Sequence, residues 1–406
     1  MINIQRIATN LMLMAGAIGL FFALDVNDED WGGNVFPPLK FLPYELSLMA
    51  LLLWIVSSTV RITPVFISLT VFSLIWLGGS SYSLMVSDIE LSETYFGRGL
   101  GCIVMMSAYY LAQHKDELQH FFKMYVPMIF GYLIFATLIA IGYRLGFVYG
   151  EYEQIYQVES IINAVAIVAA AGYFKSKLYK NIAIALGAIC LLLIAKTTAI
   201  ALLACSLGFT FNSYVSDKLG KQSWSQSDKK LVHLGIFSIL TVILIVAFGF
   251  LYQDRLDDRG NDIREANAEI RLLQFEQSPL IGELFTGSPL VDFGPLHIPS
   301  HSEWLDMLAS AGTLAIFLFL LPISMLLMKS SLLKASKDGL LLRQWLGFVL
   351  VAYVVLMIVN PILFLPGLSF LFWASLGLLA GLVAGNADYF MIEMKSDMPL
   401  NQAEIL

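Results

Sequence analysis

Charge is scarce in this sequence. Aspartate, glutamate, lysine and arginine make up 14% of its 406 residues, where soluble chains carry about 25%. The apolar share is 58%, against the usual 45–50% or so, and mean hydropathy is +0.75. A disordered chain, which needs low hydrophobicity, is excluded. A single core stops growing near about 250–300 residues, so the surplus apolar surface is expected to face lipid and not to belong to a soluble globular enzyme. Basic residues are the minority, 24 against 31 acidic, for a net charge of −7; nucleic acid, which wants a basic surface, is not an expected partner. Cysteine is nearly absent. Cys102, Cys190 and Cys205 fall inside apolar stretches without metal-ligand spacing, which excludes a disulfide scaffold and reads as small buried hydrophobes. The first apolar run follows Arg6 and leads into the acidic stretch Asp25 to Asp30 without a small-residue cleavage site, so it reads as a retained first helix.

What is present is a series of long apolar runs. A spanning helix needs about 20 mostly apolar residues. About twelve segments qualify: 7–24, 42–60, 62–84, 95–113, 122–143, 157–174, 179–196, 198–215, 231–253, 303–328, 344–363 and 366–385. The expected fold is therefore an all-α integral membrane protein of about 12 transmembrane helices. Residues 1–406 form one polytopic domain, and residues 253–302 form a large external loop within it. Lys and Arg collect on the cytoplasmic side. With the N-terminus inside, 16 of the 24 basic residues fall there. The expected topology is multi-pass, with both termini cytoplasmic.

The two sides differ in kind as well as number. The inner set holds 13 Lys and 3 Arg; the outer set is Lys40, Arg98, Arg144, Lys196, Arg255, Arg259, Arg264 and Arg271. Inner lysine is a topology signal. Outer arginine is not, and a planar guanidinium grips phosphate or carboxylate with two parallel hydrogen bonds. An anionic ligand on the outer face is one reading. Pairing with Asp257, Asp258, Asp262, Glu265 and Glu269 is the other.

The 253–302 loop is too long to be a plain connection, and it contains apolar residues suited to packing. Its first half reads as a helix. Asp262 and Glu265 resemble a capping pair, and Ser278-Pro279 stops the run. Ile263, Ala266, Ile270 and Leu273 make one apolar stripe, while Arg264, Ala268 and Arg271 lie on another face. The two guanidiniums are then about two turns, or roughly 10 Å, apart. Such a helix beside a membrane lies at headgroup depth, where a lipid-linked phosphate would be. The second half is punctuated by Pro279, Gly282, Gly287, Pro289, Gly294, Pro295 and Pro299, and it carries His297 and His301, two of the five histidines. Ser300 and Glu303 fit a capping box, which puts His301 in the first turn of the next helix. Free N–H groups there suit an anion, and the positive helix end favours a neutral imidazole able to take a proton. The plainer alternatives are a capping role for Glu303 and an interfacial polar role for His301 and His297.

Three stretches resemble the O-antigen polymerase and O-antigen ligase superfamily of bacterial inner-membrane glycosyltransferases. Arg264 followed by Pro279-Leu280-Ile281-Gly282 is similar to that family's arginine, amphipathic stretch and Pro-Leu-x-Gly turn. The run from His301 through Ser302, Glu303 and Trp304 to Gly312 is similar to its histidine, small polar residue, aromatic-Leu and later Gly. The run from Leu192 to Leu203 sits where the family commonly has a Ser-Arg pair; Lys196 stands in the arginine's place and keeps the charge without the fork.

The resemblance implies a GT-C-like fold in the bacterial inner membrane and an inverting, metal-independent glycosyl transfer on the periplasmic side. The donor is a glycan on undecaprenyl pyrophosphate. The acceptor is a lipid-linked repeat unit for a polymerase or the lipid A core for a ligase; the polymerase reading is placed first. The lipid bilayer, chain-length regulators and flippase proteins are the further partners implied, and no cofactor is expected. The residues fit this chemistry. Breaking a sugar–pyrophosphate bond builds negative charge that preorganised cations stabilise, a task for Arg264 and Arg271, with Arg259 and Lys196. Arg98 and Arg144 would help hold donor or acceptor. The attacking hydroxyl needs a base within reach; His301 is the first candidate and Glu303 the second. A lipid-linked sugar transporter or flippase is the main competing class. Against it, the central segments are almost free of charge and show no internal repeat.

Overall fold

The computed structural model describes residues 3–22, 37–86, 94–145, 163, 164, 166–168, 177–194, 260–282, 302–332, 337–357, 363 and 366–385. Ten helices of 18–30 residues run through them: α1 (Ile4–Phe22), α2 (Pro37–Ser57), α3 (Pro64–Val86), α4 (Thr94–Ala112), α5 (Lys115–Arg144), α6 (Lys177–Ile194), α7 (Gly260–Gln277), α8 (Glu303–Leu332), α9 (Lys337–Leu356) and α10 (Pro366–Ala384). Proline opens α2, α3 and α10, at the one helical position where its missing N–H costs nothing. Thr63 caps α3, its hydroxyl accepting from the Phe66 N–H at 3.3 Å.

The centre of the fold is α10 packed on α4. A β-carbon on Gly377 would meet the Met105 carbonyl, one on Gly381 the Tyr109 carbonyl, and one on Gly101 the Trp373 indole. The three pairs step by four residues along both helices, so α4 and α10 run in the same direction, close enough that only glycine fits at the contacts. Phe72 and Trp76 of α3, Phe319 of α8, and Phe372 and Trp373 of α10 are all fully buried around this pair. Their rings pack in tilted and edge-on contacts, with centroids 4.9 Å apart for Phe72–Phe319 and 6.1 Å for Phe319–Trp373, the spacing aromatic quadrupoles favour. Polar ties join the periphery. The Glu117 carboxylate of α5 accepts from Arg6 Nε at 3.1 Å and from the Thr9 hydroxyl at 2.9 Å, and the Tyr44 and Ser369 hydroxyls share a 2.7 Å hydrogen bond between α2 and α10.

The all-α class stands, but the expectation of about 12 transmembrane helices does not. Among the described residues, two helical stretches are long and apolar enough to cross a membrane, Lys115–Leu138 and Glu303–Ser330. In seven other helices the apolar stretch among the described residues is 10–17 residues, where a bilayer crossing takes roughly 20. The multi-pass inner-membrane topology with both termini cytoplasmic, and with it the multi-span membrane glycosyltransferase, falls with that count. The physical reason is visible in α10. Its residues from Ser369 to Leu382 are buried almost without exception, and a helix buried on every side is apolar on every side. Hydropathy read that interior helix as a lipid-facing one. The expected spans 198–215 and 231–253, and most of 157–174, lie outside the described residues.

Candidate functional site

The site expected from the sequence centres on α7, the turn after it and the start of α8. The α7 helix forms where the capping and stop signals place it, with Asp262 and Glu265 inside its first two turns and Ser278-Pro279 beyond its end. Its facing differs from expectation. Gln274 is buried and Arg271 is only 14% exposed, whereas Leu272 and Leu273 are nearly half exposed. The polar edge turns toward α8 because partners wait there. Arg271 Nε donates to Asp306 Oδ1 at 3.0 Å, and Arg271 Nη1 donates to Gln274 Oε1 at 2.8 Å. Charge-assisted bonds of this kind are roughly twice as strong as neutral ones, and they outweigh the burial of two leucines at the edge of the fold.

The turn after α7 is locked into a break in α8. Gly312 interrupts α8 with φ 69° and ψ −176°, a region that is essentially restricted to glycine. The break turns two N–H groups out of the helical ladder. Thr313 N–H donates to the Pro279 carbonyl at 3.0 Å and Leu314 N–H to the Leu280 carbonyl at 3.1 Å. The Thr313 hydroxyl adds a second bond to Pro279 at 2.9 Å. Gly282, also at φ 69°, closes the turn through its N–H on the Ser278 carbonyl at 2.9 Å. Each glycine faces the backbone of the other segment, Gly282 against Ser310 and Gly312 against Leu280. The Pro-Leu-Ile-Gly turn and the later glycine are thus two halves of one joint.

At the start of α8 the cap is Ser302, not Ser300. The Ser302 hydroxyl accepts from the Leu305 N–H at 3.5 Å and its carbonyl from the Asp306 N–H at 3.1 Å. The helix therefore begins at Glu303. Glu303 is fully buried. Its N–H donates to the Met357 carbonyl and its Oε2 accepts from the Leu363 N–H, both at 2.9 Å. It clamps the start of α8 to the segment between α9 and α10. Glu303→Ala is expected to cost about 1–3 kcal/mol, because it strips the buried Leu363 N–H of that acceptor. Glu303→Gln keeps an acceptor oxygen and should cost less. Thermal unfolding of the two variants checks this; equal losses would mean that the negative charge, not the acceptor, is what matters.

The structure thus joins Arg271, Glu303 and the backbone of Arg264 in one α7–turn–α8 unit, and it adds Asp306 and Gln274, which the sequence reading did not select. Asp306 carries a sequence signal of its own, an acidic residue in a first helical turn, but its partner lies 35 residues away. The backbones of Arg98 and Arg144 are in α4 and at the end of α5, away from this unit in the chain; their side chains and that of Arg264 lie outside the described residues, as do His301, His297, Arg259 and Lys196. Among the described residues no group of three or more His, Cys, Asp or Glu comes together as a metal site.

No protein-family model matches the chain, and comparison with curated proteins finds no match.

Proposed function

We propose that the chain is a glycosyltransferase that polymerises repeat units carried on undecaprenyl pyrophosphate into O-antigen or a related surface polysaccharide. The observation that supports the reading is the α7–turn–α8 joint. Two of the three stretches that carry the resemblance, the one after Arg264 and the run from His301 to Gly312, meet where Gly312 faces the Leu280 backbone, and Thr313 and Leu314 directly after it donate three hydrogen bonds to Pro279 and Leu280. Motif positions scattered over some 50 residues of sequence belong to one built object. In the proposed chemistry Arg264 meets the pyrophosphate as it leaves, Arg259, Lys196, Arg98 and Arg144 assist in holding donor or acceptor, and His301 removes the proton from the attacking hydroxyl. Arg271 and Glu303 act behind them, since both already have partners in the fold.

The test is purified protein given a defined undecaprenyl-pyrophosphate-linked oligosaccharide. A new glycosidic bond, with release of undecaprenyl pyrophosphate, is expected. Movement of the intact lipid-linked sugar across a liposome without bond formation would replace this reading with a transporter. Lipopolysaccharide from a deletion strain separates the two transferases: one repeat on the core is the expected result, and bare core with intact lipid-linked polymer would mark a ligase.

A second expectation concerns metal. If guanidinium groups meet the pyrophosphate charge, transfer should persist in excess EDTA. Loss of activity on chelation, restored by a divalent ion, would require carboxylate ligands, with Asp257, Asp258, Asp262 and Asp292 the first to substitute.

A further inference from the structure

Two ties among the described residues join α7 to α8. One is the backbone joint between Pro279-Leu280 and Thr313-Leu314. The other is the side-chain pair Arg271–Asp306. The pairs occur in the same order along both segments, 271 with 306 and 279 with 313, so α7 and the first part of α8 run in the same direction. The joint fixes where α7 ends. It does little to fix how α7 is rotated about its own axis, because bonds at one end of a helix leave that freedom open. Arg271–Asp306 removes it. Both groups are well placed to do so. Asp306 stands in the first turn of α8, where the helix end favours a carboxylate, and its side chain is only 5% exposed. Arg271 is steadied from its own helix by Gln274, a buried amide three residues on.

We propose that Asp306 is a positioning residue for the leaving pyrophosphate of the donor: by holding Arg271 it sets the rotation of α7, and so the placement of that helix at position 264, seven residues earlier. The spacing puts Arg264 and Arg271 about two turns apart on nearly the same side. A pin at Arg271 is therefore also a pin on the α7 backbone at position 264. What Arg264 would grip rests on the transfer reading above; the fixing of α7 rests on geometry alone. Misplacing a binding group by about 1 Å is enough to cost on the order of 10²-fold in rate.

The test uses the full chain with Asp306→Asn and Asp306→Glu, read in two ways. Hydrogen exchange at the α7 amides from Ile270 to Gln277 should speed up in Asp306→Asn while α10 keeps its protection, and Asp306→Glu, which retains the carboxylate, should recover most of it. In transfer assays with an undecaprenyl-pyrophosphate-linked glycan, Asp306→Asn should lower kcat by about 10-fold or more with a smaller change in KM for the donor, again recovered by Asp306→Glu. Unchanged α7 exchange in Asp306→Asn overturns the proposal, and so does faster exchange with wild-type KM and kcat. If the wild-type chain transfers no glycan, the transfer reading and the role toward the leaving pyrophosphate fail together, while the exchange comparison still decides whether Asp306 pins α7. Should Asp306→Asn fail to fold, Gln274→Met removes the acceptor of Arg271 Nη1 at similar volume and carries the same expectations at smaller size.

Discussion

Gly312→Ala is expected to be strongly destabilising, costing about 3 kcal/mol or more. The variant has two ways to accommodate the methyl group, and both are costly. The backbone at φ 69° and ψ −176° is closed to alanine, which costs about 1–3 kcal/mol if the conformation is kept. A β-carbon there would fall under 3.0 Å from the Leu280 carbonyl and the Ile281 nitrogen, and neither can yield without moving the turn. If the backbone relaxes to helix instead, the Thr313 and Leu314 N–H groups leave the Pro279 and Leu280 carbonyls, at about 0.5–1.5 kcal/mol for each bond and more for any group left buried without a partner. Against a total stability of roughly 5–15 kcal/mol, such a loss leaves a large unfolded fraction. Gly282→Ala should behave alike, since it meets Ser310 across the same joint at the same φ. Gly131→Ala is the control: nothing lies within 4 Å of its β-carbon position inside α5, and alanine there should stabilise by about 0.4–1 kcal/mol. Thermal unfolding of the three variants decides. A Gly312→Ala protein melting within a few degrees of wild type would mean that the joint is not what holds α7 to α8.

The parts of this fold that could be read in the sequence are those decided locally. The α7 helix was legible because its start, its stripe and its Ser278-Pro279 stop all lie within 18 residues of each other. Its facing was not legible, because the residue that captures Arg271 is 35 positions away. The cap of α8 was misplaced by two residues for a similar reason. Ser300 and Glu303 match the capping-box spacing, but Glu303 is committed to Leu363 and Met357, and the cap falls to Ser302. Gly312 could be noticed as a motif position but not as a break, since its partner is the Leu280 backbone and nothing in its neighbours signals that. The helix count went astray on a different point. Hydropathy measures how apolar a segment is; whether it meets lipid or protein depends on packing, and α10 is the case where packing supplies the answer.

Arg264→Ala is expected to lower glycan transfer by about 10²–10³-fold or abolish it, while the protein stays folded. The size follows from what is removed: one preorganised cation at the point where the leaving pyrophosphate gains charge. The fold should survive, because Arg264 lies in the second turn of α7, alanine is the best helix former, and among the described residues α7 is tied to α8 at Arg271 and Pro279-Leu280. Arg271 should be unable to stand in for it. Its guanidinium already donates to Asp306 and Gln274, and turning it toward a phosphate would break both bonds. Arg264→Lys separates two models of the grip. A bidentate hold on phosphate needs the planar fork, so lysine should restore little. Steady-state transfer rates, with α7 hydrogen exchange as the check on folding, make the comparison. Near-full activity in Arg264→Lys would show that a point charge suffices; full activity in Arg264→Ala, with α7 intact, would remove Arg264 from the site and take the transfer reading's main cation with it.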